Sequence, residues 1–149
     1  MKRSVDIYAR GDRLLVSSQW CSGGLFLQGD RVEAVDEPVS DEELGRLVRS
    51  ALAAGRDVVP GPDPDLERRA DMLLKIAGVR SWAQFARSTH QVSVYWDDAE
   101  PVMTVKPSRS DGRGFAGIRG QEIAVDAAAS DAVLGAAIRR ALAIAAGGA

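Results

Sequence analysis

Apolar and polar positions alternate from the start of the chain. Val5, Ile7 and Ala9 interleave with Asp6, Tyr8 and Arg10, the period of a strand with one face buried and the other wet. Gly11-Asp12 supplies a turn and 13-RLLVSSQ-19 a partner strand, so a hairpin opens the chain. The short runs 25-LFL-27 and 32-VEAV-35, separated by the turn-forming 28-QGD-30, predict a second strand pair. From Ser40 the period changes: Leu44, Leu47, Val48, Ala51 and Leu52 share one helical face, Ser40 and Glu43 have capping-box spacing, and Gly55 is placed to stop the helix. The rigid 60-PGPDPD-65 leads into a second helix with Asp63 as cap, Pro64 in first position, and Leu66, Ala70, Leu73, Leu74 and Ala77 as its inner stripe. Gly78 ends it.

Ser81 and Gln84 form another capping box, opening a short helix that carries Trp82 and Phe85 as core anchors. The period returns to two in 91-QVSVYW-96, with Val92, Val94 and Trp96 on one face; 97-DDAE-100 turns the chain into 101-PVMTV-105 as an antiparallel partner. A further strand is predicted at 121-QEIAVD-126. Ser130 then caps a final helix with Val133, Leu134, Ala137, Ile138, Ala141 and Leu142 inside, before a frayed Gly147-Gly148-Ala149 tail. No internal repeat of convincing length stands out. Strands and helices come in runs rather than in strict alternation, so the expected class is α+β: one domain over 1–149, a mainly antiparallel sheet, and three to four helices packed on it.

At 149 residues, 46% apolar and 27% charged, the chain matches one globular core. A net charge of −2 provides no general field for polyanions and argues against direct nucleic-acid binding. The single cysteine, Cys21, makes no internal disulfide, and no apolar run approaches the roughly 18 residues of a membrane span. These features lead us to expect a soluble cytoplasmic protein without membrane association.

Four pieces of candidate chemistry each have a plainer structural role beside them. Gly112, Gly114 and Gly117 have G-x-G-x-x-G spacing, but strand-like residues follow where the phosphate-binding helix should begin, so no dinucleotide site is expected. Lys106, Arg109, Arg113 and Arg119 with Phe115 could instead form an RNA-binding loop over 106–119, with cations on phosphates and one ring stacking a base. Cys21 and His90, each unique, are the one pair to check for thiol catalysis. Neither sits in an activating motif, and no cofactor or metal is indicated. Acids cluster in two places: Asp36, Glu37, Asp41 and Glu42 near the first helix, and Asp97, Asp98 and Glu100 in the hairpin turn. Helix-dipole complementarity and turn chemistry account for them, yet a patch of one sign can also steer and register a basic partner.

The stretches 78-GVRSWAQFARSTHQVSVYWDD-98 and 104-TVKPSRSDGRGF-115, with Gly78, Ser81 and Phe85 at the turn and the closing helix behind them, resemble the immunity proteins of bacterial contact-dependent growth inhibition (CDI) systems. That resemblance implies a non-enzymatic protein that neutralises the C-terminal toxin domain delivered by a neighbouring cell, as a one-to-one heterodimer that blocks the toxin's active site or access to it. Toxins of such systems are often nucleases, including tRNases. It carries over no catalytic residue and fixes no interface, so the seven acids above are the toxin-binding candidates. A small RNA-binding protein using the 106–119 loop is the alternative.

Overall fold

The computed structural model describes residues 1–147; Gly148 and Ala149 of the expected tail lie outside the described residues. The chain runs β1 (Lys2–Arg10), β2 (Arg13–Ser22), β3 (Leu25–Asp36), α1 (Asp41–Ala53), β4 (Asp57–Val58), α2 (Leu66–Ala77) and α3 (Trp82–Arg87). It continues with β5 (His90–Asp97), β6 (Val102–Ser110), β7 (Phe115–Gly117), β8 (Ile123–Asp126) and α4 (Asp131–Ala145). The strands form one sheet in the order β3-β2-β1-β5-β6-β7, with β8 on β6 and β4 on β2. Only the short β2–β4 contact is parallel. The α+β class with a mainly antiparallel sheet and four helices is as the sequence pattern predicts.

Period-2 alternation gives the sheet two different faces. Val5, Ile7, Leu14, Val16, Val92, Val94, Met103 and Val105 point to one side and meet the apolar stripes of α1 and α4 in the main core. The other side of β1 and β2 is also covered, at one end, by α2 and α3: Tyr8, Leu15, Leu73, Val79 and Phe85 form a second core. This corrects the expectation that the Asp6–Tyr8 side of β1 is wet, since Tyr8 is buried there.

Three local expectations also change. The predicted hairpin at 25–35 is one continuous strand, and its Gly29 is no turn glycine: a Cβ there would stand 2.8 Å from Ser18 O and Oγ, at the irregularity in the β2–β3 register. Asp63 does not cap α2, which begins two residues later behind Asp65. Asp63 pairs instead with Arg69, which tucks under the helix and donates to Gln28 O at 2.8 Å. Of the expected α2 stripe, only Leu73 is fully buried, while Arg69 takes an inner position. The third change concerns exposed side chains: Trp82 and Val133, both expected inside, are 37% and 53% exposed.

Of the glycines described, the two with the least room for a side chain lie where α1 meets α4. Ser40 and Ser130 cap the two helices by accepting from Glu43 N and Val133 N. Each cap opens the same short pattern, S-D-x-x-L-G, at 40–45 and at 130–135. The two glycines face each other's first turn: a Cβ on Gly45 would lie 1.9 Å from Asp131 O, and one on Gly135 1.8 Å from Asp41 O. Arg49 reaches from α1 to Asp131 at 2.8 Å and to Ala127 O at 3.0 Å. Arg139 on α4 returns the contact with a two-pronged pair to Glu37 and a bond to Val39 O.

Candidate functional site

Beside α2 and α3, the same face of the sheet carries a polar floor between two aromatic walls. The strand register sets Ser17, Asp6, Ser93 and Lys106 side by side across β2, β1, β5 and β6. Since paired residues point to the same face, this row lies opposite the main core. On one side Phe26 and Tyr95 meet edge-to-face at 6.0 Å; strands β2 and β1 between them contribute Gln19 and Ser4, both buried. On the other side Trp82 and Phe115 stand 6.0 Å apart, each packed on Tyr8 and Phe85. A cleft of about 470 Å³ lies beside this second wall, with Asp6, Gln19, Gln28 and Gln91 among its lining and α2 contributing Ala70 and Leu73.

Asp6 is the charge at its centre. Its carboxylate accepts from Ser93 Oγ at 2.6 Å and from the Tyr8 hydroxyl at 3.3 Å, and Gln91 Nε2 donates to that hydroxyl at 3.4 Å. Burial raises the Asp6 carboxyl above its ordinary value, and the two hydroxyl donors offset only part of that effect. Burial likewise drives the Tyr8 phenol well above its ordinary value, with the Asp6 charge adding to the shift. Gln28 donates to Ser17 Oγ, while the buried Gln19 amide nitrogen has no partner among the described residues.

The sequence-derived acids fall at two remote places. Asp36 closes the strand row through Arg13 and Arg10, at the far end of β1 from Asp97, which pairs with Lys2. With nine residues in β1, the two sets stand roughly 25 Å apart along the strand direction. Several are already paired. Asp98 holds the N-terminal ammonium at 2.7 Å and Arg3 at 3.0 Å, and these donors lower its carboxyl; Asp97 lies 3.7 Å from the same ammonium. Glu37 is held by Arg139, which lowers its carboxyl below the ordinary range, and Asp41 stands 3.8 Å from that guanidinium. Asp36, Glu42 and Glu100 are exposed.

The other candidates resolve on geometry. Gly117 lies in β7, so no helix follows the glycine spacing. Residues 111–114 form a tight turn in which Asp111 accepts from Arg113 N and Gly114 N at 2.8 Å, a shorter connection than the expected long loop. Phe115, the one ring within the basic segment 106–119, is packed into the aromatic cluster. Cys21 is buried near the far end of β2, whereas His90 pairs with Ala9 beside Leu14, so no thiol–imidazole pair forms. Among the described residues no group of three or more potential metal ligands comes together, and no helix is long and apolar enough to cross a membrane.

Sequence reasoning missed the cleft residues because alternation assigns Asp6 and Tyr8 to solvent. The available signal was chemical: 4-SVDIY-8, 17-SSQ-19 and 91-QVSVY-95 carry hydroxyls, amides and rings on their outward positions, with Asp6 the only charge among them.

Comparison with known proteins adds a family and a fold. The family model described as "CdiI: CDI immunity protein" matches residues 3–145. Among curated proteins, none matches the sequence. A Neisseria meningitidis structure described as a protein of unknown function, NMB0488, superposes with a TM-score of 0.81 at 16% identity, covering 97% of this chain and 95% of that one. A CdiA-CT/CdiI toxin and immunity complex from Yersinia pseudotuberculosis contains a chain that superposes at 0.79 and 18% identity, covering 96% and 97%.

Proposed function

Because the chain belongs to the CDI immunity protein family, we propose that it binds the cognate CdiA C-terminal toxin domain one-to-one in the cytoplasm and holds it inactive, that the toxin is a nuclease, and that the protein itself is not an enzyme. The observation that carries this reading is the family match over residues 3–145. The fold it shares with a chain of a toxin–immunity complex supports it.

A nuclease must hold a polyanion, so its active-site face is basic, and exposed acids on an inhibitor speed its capture. Glu42 and Glu100 are available for that steering role, and so, in smaller part, is the exposed Asp36, which stands 3.7 Å from Arg13. In Glu37, Asp41, Asp97 and Asp98 the charge is already opposed by Arg139 or by the N-terminal group, so they contribute less to an external field. With the two acidic sets at opposite ends of β1, we assign them to long-range attraction rather than to one contact patch.

The test is coexpression with the toxin domain encoded beside it. Growth should be rescued, the two chains should copurify, and light scattering should give the mass of a one-to-one pair. The purified toxin should cleave RNA or DNA until an equimolar amount of this protein is added. Failure to copurify sinks the immunity reading; a toxin that spares nucleic acid sinks only the nuclease part.

A further inference from the structure

Among the described residues, Asp6 is the partly buried acid that the protein's own cations leave alone. Other partly buried carboxylates are matched: Glu37 by Arg139, Asp63 by Arg69, Asp131 by Arg49, Asp98 by Arg3. Asp6 has only two hydroxyl donors. Lys106, two strands away in the same row, holds its ammonium 5.1 Å from the Tyr95 ring centroid instead. The rest of the cleft brings no cation: α2 faces it with Ala70 and Leu73, and α3 with Trp82. A desolvated carboxylate without a counter-charge is costly, and a protein keeps few of them without a partner.

We propose that this cleft is the toxin-docking pocket and that its occupant is an arginine side chain of the toxin domain, with the guanidinium paired to Asp6. The proposal rests on the immunity reading above and names its contact. Charge selects the sign of the occupant, since a carboxylate or phosphate entering the cleft meets Asp6 head on. Shape selects arginine over lysine. Asp6 presents two carboxylate oxygens, each taking only one hydroxyl donor, and a planar fork of donors meets both at once where a single ammonium does not. The wall rings of Trp82 and Phe115 offer faces on which a guanidinium stacks. At about 470 Å³ and open to solvent, the cleft admits the head group and its aliphatic stem. A nuclease that grips phosphates with arginine would lose that arginine to the inhibitor.

Binding of the purified cognate toxin domain by calorimetry tests this. Asp6→Asn keeps the shape and removes the charge; its affinity should fall at least about 30-fold, the loss usual for breaking a buried charge pair across an interface. Ala70→Phe leaves Asp6 intact and fills the cleft from α2, and should weaken binding comparably while unfolding at a temperature close to that of the wild type. Asp36→Asn, at the exposed far end of β1, should stay within about 5-fold at physiological salt. Alanine replacement of the toxin's surface arginines should identify one whose loss costs nothing further in the Asp6→Asn background. Wild-type binding with Asp6→Asn and Ala70→Phe both within about 5-fold of it overturns the cleft while leaving the immunity function standing. Tighter binding by Asp6→Asn, or a loss that couples to no toxin arginine, overturns the arginine. A wild-type protein that does not bind the toxin overturns the immunity reading itself.

Discussion

Replacing Gly45 by alanine sets two effects against each other in the same residue. In an isolated helix the change is favourable by about 1 kcal/mol, because alanine loses less backbone entropy. Here the new methyl would sit 1.9 Å from Asp131 O, 2.6 Å from its carbonyl carbon and 2.8 Å from its Cα. All three are backbone atoms of the first turn of α4, so no side-chain rotation relieves the overlap. Restoring even 3.0 Å to the oxygen moves the helices apart by 3.0 − 1.9, or 1.1 Å. That shift loosens the Arg49–Asp131 pair and the bonds from Arg49 to the 127 and 129 carbonyls, and opens the main core around Leu44 and Leu134. Overpacking of this kind costs about 1–3 kcal/mol and more where backbone must move. With the propensity gain subtracted, we expect a net loss of about 2 kcal/mol, and a melting temperature lower by about 4–8 °C for a domain this size. Circular dichroism melts and urea titrations measure it. Gly135→Ala should behave alike, and the double variant should lose less than the sum, because one displacement relieves both clashes. A Gly45→Ala protein that melts higher than the wild type would refute the seating argument.

Glu37 should make stability acid-sensitive. Its folded carboxyl is lowered by Arg139, so its contribution is complete above the ordinary value of 4.5 and is lost as pH falls through the lowered folded value. Urea midpoints of wild type and Glu37→Gln should therefore differ at pH 7 and converge at lower pH; a constant gap counts against the pair. Asp6 runs the other way: its folded carboxyl is raised, the native state binds the extra proton, and the charged form opposes folding at neutral pH. Asp6→Asn should gain about 1 kcal/mol in a urea titration at pH 7, and a loss there would show that the charge is satisfied internally. Phe85, fully buried at the centre of the aromatic cluster, should cost about 3–5 kcal/mol as Phe85→Ala, with the second core loosened and near-ultraviolet dichroism reduced; a loss under 1 kcal/mol would contradict its anchoring role.

Elements whose cause is local were legible in the sequence. Capping serines, i, i+3, i+4 stripes and the 97–100 turn each act within a few residues, so α1, α4 and the β5–β6 hairpin stand about where pattern places them. Glycine was read wrongly where its cause is remote. Gly29 looks like a turn residue because its real constraint is Ser18 on the next strand, and Gly45 and Gly135 are silent until their helices are brought together. The cleft escaped for the same reason. Alternation shows that Asp6 faces away from Val5 and Ile7, but only the docking of α2 and α3 turns that face into a walled floor. The acids found by composition are where the sequence places them, yet only the strand register shows that the two sets lie at opposite ends of β1.

The interlocked glycines tie the timing of protection to the ribosome. Gly45 finds its seat only when Asp131 exists, and the chain between them is 131 − 45, or 86, residues long. At bacterial elongation rates of about 5–20 residues per second, the first helix waits roughly 4–17 s for its partner after leaving the peptidyl-transferase centre. Until α4 arrives, the apolar stripe of α1 and the strands beneath it lack half their cover. A chain that stops short of the last helix would leave that apolar surface uncovered.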